Sequence, residues 1–144
     1  MIPRYTPAEY AELWSAKARY DVWLEVELAA CDAMEEQGLV PAGTAASIRD
    51  KKLVLDVDRI ETIEKTTKHD VIAFLTHVEE LAGDPARFLH LGMTSSDVLD
   101  TSLGILLTRA TDGILARTDR FVDALSKRVN ADRKTPMIGR SHGM

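Results

Sequence analysis

From Ser96 to Thr135 the chain contains no proline, and apolar residues recur there every three or four positions. That spacing is the period of one face of an α-helix, so a single long helix is predicted, of about 37 residues and roughly 55 Å. The apolar seam runs through Leu99, Leu103, Leu106, Ala110 and Gly113/Ile114, then Phe121, Leu125 and Arg128/Val129. Ser96 is the predicted N-cap, with Asp97 at the positive end of the helix dipole. A helix of this length exceeds what a self-contained globule of 144 residues can cover. Either copies of itself or segments further along a longer chain are expected to cover it, as in a helical bundle.

The preceding residues read as shorter helices. A segment begins near Pro7 and runs toward Trp14. A second covers Ala18 to Gln37, with Val22, Trp23, Val26, Ala29, Ala30, Ala33 and Met34 on its apolar face. Gly38 is its predicted C-cap. A short helix follows over Ala42–Asp50, then one capped by Asp56 or Asp58 that turns Val57, Ile60 and Ile63 inward. Asp70 to Leu81 is the next, facing Val71, Phe74, Leu75, Val78 and Leu81 to the core, and Gly83 ends it. The fold class is therefore all-α: a small N-terminal helical domain over 1–93, then the first long helix of a central bundle over 94–144, incomplete as it stands.

Charge and composition remove several functions. The net charge of −5 is spread along the chain, with no basic stripe for a nucleic-acid backbone, so no nucleic-acid partner is expected. No apolar run reaches membrane-spanning length and the first residues lack a signal-peptide core, so a cytoplasmic protein is expected. Cys31 is the only cysteine, which precludes an internal disulfide and fits a reducing compartment. The histidines have no HExxH spacing, and neither a P-loop nor a dinucleotide fingerprint occurs, so no metal and no cofactor is expected. His77, with no polar motif around it, is assigned to structure or solvent.

Three polar segments carry the remaining histidines. In Thr66-Thr67-Lys68-His69-Asp70, hydroxyls, an amine and an imidazole precede a helix N-terminus and can hold a phosphate or carboxylate. The same residues also suit an ordinary cap. His90-Leu91-Gly92-Met93-Thr94-Ser95-Ser96-Asp97 supplies three consecutive hydroxyls, more than one cap needs, beside a glycine that permits close backbone approach. Pro136–Gly143 sets Arg140, Ser141 and His142 between glycines, where an imidazole is matched to moving a proton near neutral pH.

The opening IPRYTPAEYAELWS, the middle TTKHDVIAFL, the segment HLGMTSSDVLDT and the final GRSHG occur in one order over essentially the whole chain. Together they resemble the adenylosuccinate lyases of the fumarase and aspartase superfamily. The resemblance implies a β-elimination that releases fumarate from adenylosuccinate to leave AMP, and from SAICAR to leave AICAR, in purine biosynthesis. It implies His142 as the acid for the leaving nitrogen and His69, with Asp70, near the phosphate. Arg4 and Tyr5 are implied contacts to the nucleotide phosphate, with Lys68 where family patterns often carry arginine. His90 arranges the substrate, Thr94 and Ser95 with Ser96 donate to its succinyl carboxylates, and Ser141 also contacts it. The family's general base, a serine on a flexible loop, lies beyond residue 144, and its sites combine residues of three subunits in a homotetramer built on the central bundle. The 144-residue chain alone is accordingly expected not to catalyse. Two other readings stay open: a sibling lyase acting on argininosuccinate or a similar substrate, and a non-catalytic helical oligomerisation module.

Overall fold

In the computed structural model, which describes residues 2–140 and 142, the elements are all helical. They are α1 (Ala8–Leu13), α2 (Ala16–Glu36), α3 (Thr44–Asp50), α4 (Val57–Thr67), α5 (Asp70–Ala82) and α6 (Ser95–Asp132). Single 3-10 turns occupy Pro3–Tyr5 and Asp84–Phe88, and among the described residues there is no strand. The chain divides into two compact units, Met1–Thr108 and Arg109–Met144, with the boundary inside α6.

The first unit is built around α2. Tyr20 and Trp23 meet edge to face at 5.2 Å, Trp23 and Phe74 do so at 5.5 Å, and Tyr20 stacks on Phe74 at 6.0 Å. Ile48, Ile60, Val71, Val78 and Val98 close around these rings from α3, α4, α5 and the first turn of α6. Each such side chain contributes on the order of 1.5–3 kcal/mol by leaving water. α4 packs along α5, and α5 against the Asp84–Phe88 turn.

The predicted faces hold in part. On α2, Val22, Trp23 and Val26 are buried as expected, but Ala29 and Ala33 are exposed, and Tyr20, Glu27, Leu28 and Cys31 are buried instead. The larger side chains decide, because a methyl group loses little by remaining in water whereas an aromatic ring loses much. On α5, Val71, Phe74 and Val78 are buried, while Leu81 is 39% exposed and Ala82 takes the last inward position. On the first-unit part of α6, Val98, Ser102 and Leu106 are buried at spacings of four, and Leu103 is 48% exposed.

Caps explain the element ends. Asp56 accepts the amides of Asp58 at 3.0 Å and Arg59 at 3.2 Å, as predicted for the start of α4. α6 begins two residues earlier than it would with Ser96 as its cap. Thr94 precedes the helix, and its amide donates at 2.8 Å to the carboxylate of Asp97, the reciprocal half of a capping box.

His77 belongs to structure and is buried, away from solvent. Its Nε2 accepts the Asp56 amide at 3.1 Å and its Nδ1 faces Glu80 at 3.2 Å, tying α5 to the start of α4. Arg59 grips the same Glu80 with two nitrogens, and this pairing, with His77 second, holds the Glu80 carboxyl down to about 2. Burial first, then the Glu35 and Asp32 carboxylates, push the Cys31 thiol up, so it is the protonated, unreactive form that sits in the core.

In the second unit, Ile114, Leu115, Phe121, Val122, Leu125 and Val129 of α6 are each about half exposed or more. Of the seam predicted from periodicity, Leu106 and Ala110 are buried, while from Ile114 onward it is an exposed helix face.

Candidate active site

Lys68 makes the turn between α4 and α5. Its φ of 53° and ψ of 30° are left-handed, and its amide closes α4 on the Glu64 carbonyl at 2.8 Å. A left-handed residue other than glycine costs about 1–2 kcal/mol. The turn sets His69 as the N-cap of α5, an uncommon role for imidazole. Nδ1 of His69 accepts the Ile72 amide at 3.4 Å. Thr67 braces the same corner, its hydroxyl lying 3.2 Å from the His69 carbonyl. Asp70 accepts its neighbour's amide, that of Val71, at 2.8 Å and stands 3.6 Å from His69 Nδ1.

Because Nδ1 accepts, the neutral His69 ring carries its proton on Nε2. That nitrogen lies 3.4 Å from the hydroxyl of Ser95, the first residue of α6. The first and second polar segments, 26 residues apart in sequence at this contact, therefore meet in space. Both His69 and Asp70 keep nearly half of their side-chain surface open, so a ligand can reach them.

His90 also has a left-handed backbone, with φ of 61°, followed by Gly92 at 69°. A Cβ on Gly92 would meet nothing within 4 Å, so backbone conformation, and not close approach, is what this glycine supplies. His90 is held by a residue that no motif pointed to. Glu27 of α2, 0% exposed, accepts the His90 amide at 2.7 Å through one oxygen and faces His90 Nδ1 at 2.7 Å with the other. The readable signal was a carboxylate four residues from both Trp23 and Cys31, on the buried face of α2. These charge-assisted bonds offset the cost of the left-handed turn.

The other expected residues lie as follows. Thr94 and Ser96 flank Ser95 at the start of α6 and are exposed, as is Lys68. Arg4 and Tyr5 sit on the first 3-10 turn, where the guanidinium lies 4.7 Å from the Tyr5 ring centre and the ring is 70% exposed. In the second unit, Arg140 and His142 are exposed, and His142 has a left-handed φ of 49°. Ser141 lies outside the described residues.

A cleft of about 550 Å³ adjoins Asp70, between Trp14, Arg19, Leu99 and Ser102. Two of its polar groups, Arg19 and Ser102, are committed to the fold. Arg19 bonds the Tyr20 hydroxyl at 3.0 Å and covers the Tyr20 and Trp23 rings, and Ser102 bonds the Leu99 carbonyl. The His69–Ser95 contact, with open donors around it, is the better candidate for substrate chemistry. Among the described residues, no group of histidines, cysteines and carboxylates is placed to hold a metal, and no helix is long and apolar enough to cross a membrane.

Comparison with known proteins bears on the family of the chain. Residues 4–144 match the family described as Lyase. Over all 144 residues the chain is 42% identical to the adenylosuccinate lyase of Synechocystis sp. (strain ATCC 27184 / PCC 6803 / Kazusa) and 40% identical to that of Bacillus subtilis (strain 168). In both cases the match takes in 100% of this chain and 33% of the relative, so the chain spans about a third of their length. The crystal structure of fumarate lyase from Mesorhizobium sp. BNC1 superposes with a TM-score of 0.84 at 25% identity, over 94% of this chain and 33% of that one.

Proposed function

The chain belongs to the lyase family, and from that premise we propose that it forms the N-terminal part of an adenylosuccinate lyase. The protein carrying it would cleave adenylosuccinate to AMP and fumarate, and SAICAR to AICAR and fumarate. The observation that carries this reading is the His69–Ser95 contact, which joins the two polar segments into one surface of donors.

In a β-elimination, a base removes the proton beside a succinyl carboxylate while an acid protonates the departing nitrogen. Extra negative charge gathers on the carboxylate in the transition state, so fixed donors there lower the barrier. Thr94, Ser95 and Ser96 stand at the N-terminal end of α6, where hydroxyls and unpaired helix amides suit an anionic group. Lys68, His69 and Asp70, with Arg4 and Tyr5, form the phosphate side in this reading, and Ser141 adds a substrate contact. Lys68 supplies charge without the two-pronged geometry of arginine. His142 serves as the acid, and the base comes from outside this chain. Phosphate recognition separates this reading from an argininosuccinate lyase, whose substrate has no such group.

The proposal extends to assembly. Residues 94–144 begin a central helical bundle following a 1–93 domain, and the half-exposed apolar face of α6 supports a homotetramer built on that bundle. A cytoplasmic location and the absence of cofactor complete it. A bare oligomerisation module would have no need of the His69–Ser95 arrangement.

The test is a double-mutant cycle on kcat/KM for fumarate release from adenylosuccinate. His69→Ala and Ser95→Ala are expected to be coupled, their joint effect falling short of the sum by about 0.5–1 kcal/mol or more. Strict additivity would mean that the two segments act separately.

A further inference from the structure

Glu27 belongs to none of the polar segments, yet both of its oxygens are committed to one residue. A plug for a buried turn would need only the bond from the His90 amide. The second oxygen is directed at the ring, at 2.7 Å from Nδ1. An ionised carboxylate has only lone pairs to offer, so the hydrogen between them belongs to Nδ1. The carboxylate is wholly buried while the His90 side chain keeps 17% of its surface open, so the ring is gripped on its inner side and a further partner approaches from outside.

We propose that Glu27 is a positioning residue for His90. By holding Nδ1–H and balancing the ring's charge from the core, it presents an oriented Nε2–H to an anionic oxygen of the substrate. The inference rests on the reading of His90 as a substrate-binding residue. The pair is built across 63 residues of sequence, from α2 to the loop before α6, so it fixes the ring against the rigid aromatic core instead of leaving it on a mobile loop.

Glu27→Gln discriminates positioning from plugging. The glutamine carbonyl can still accept the His90 amide, but its NH₂ is then aimed at Nδ1, which must become an acceptor. Side-chain ¹⁵N spectra of histidine-labelled protein, with His90→Asn for assignment, are expected to show both ring nitrogens protonated in the parent and the Nε2–H neutral tautomer in Glu27→Gln. In kinetics of the full-length protein on adenylosuccinate, Glu27→Gln is expected to raise KM about tenfold, more than it changes kcat, as for one charge-assisted hydrogen bond. It should add little in a His90→Asn background, because asparagine tolerates the left-handed backbone but has no ring to orient.

An unprotonated Nδ1 or Nε2 in the parent overturns the proposal, as does an unchanged ring protonation in a folded Glu27→Gln protein or full additivity with His90→Asn. Should Glu27→Gln not fold, the parent spectrum alone decides whether Nδ1 carries the proton. A folded parent that releases no fumarate defeats the lyase reading, and the ¹⁵N result then decides the Glu27–His90 relation by itself.

Discussion

Replacing His142 with alanine, in the protein that carries this chain at the length of its relatives, is expected to lower kcat for fumarate release by about 10²–10⁴-fold. The nitrogen leaving adenylosuccinate departs as a poor anion unless it is protonated in the transition state, and imidazole is the side chain best matched to that transfer near neutral pH. The structure makes the substitution clean with respect to the described chain. His142 is exposed, so no core packing is lost, and its left-handed φ of 49° is as costly for alanine as for histidine. His142→Asn is the matched control, since asparagine accepts that backbone but cannot donate the proton as an acid. Both variants should lose rate alike while the unfolding midpoint stays put. A loss of less than tenfold would remove His142 from the acid's role.

Phe74→Ala is expected to destabilise the first unit by about 3–5 kcal/mol in urea unfolding. Phe74 is fully buried and is the ring on which α2 and α5 meet, stacked on Tyr20 and edge-on to Trp23. Removing it opens a cavity that two large neighbouring rings cannot fill without leaving their own contacts. Against a typical domain stability of about 5–15 kcal/mol the loss is a large fraction. Phe74→Leu should cost clearly less, because most of the volume remains. A cost below about 1 kcal/mol for alanine would mean that the three rings are not the centre of the core. Phe74 also lies five residues beyond His69, the cap of the same helix, so a loosened core should weaken the site before the unit unfolds.

The elements that could be read from sequence were those whose signals are local. The 3.6-residue period and the absence of proline marked α6, and Asp56 before an apolar run marked α4. The start of α6 was misplaced because three hydroxyls in a row all resemble caps. The deciding feature was Asp97, three residues after Thr94, which completes the reciprocal bond. The inward face of α2 was misjudged by counting alanines as equal to the aromatic and leucine positions beside them.

Within the site, the polar segments were legible as clusters of donors, but their meeting was not. Whether Ser95 reaches His69 depends on how α4, α5 and α6 pack, which no local pattern encodes. Lys68 and His90 adopt left-handed backbones that their residue types do not announce. At His90 the cause lies in Glu27, distant in sequence and visible only as a carboxylate on a buried face. His77, without a motif, proved to be an internal tie between α5 and the α4 cap. The roles assigned to His142 and Ser141 come from family resemblance, since a serine and a histidine adjacent in sequence fix no geometry.

The most direct test of the account is to incubate the full-length protein with adenylosuccinate and quantify AMP and fumarate together. Formation of the two in equal amounts is the expected result, with no fumarate from argininosuccinate under the same conditions. A folded protein that forms neither product, or that releases fumarate from argininosuccinate in preference, would contradict it.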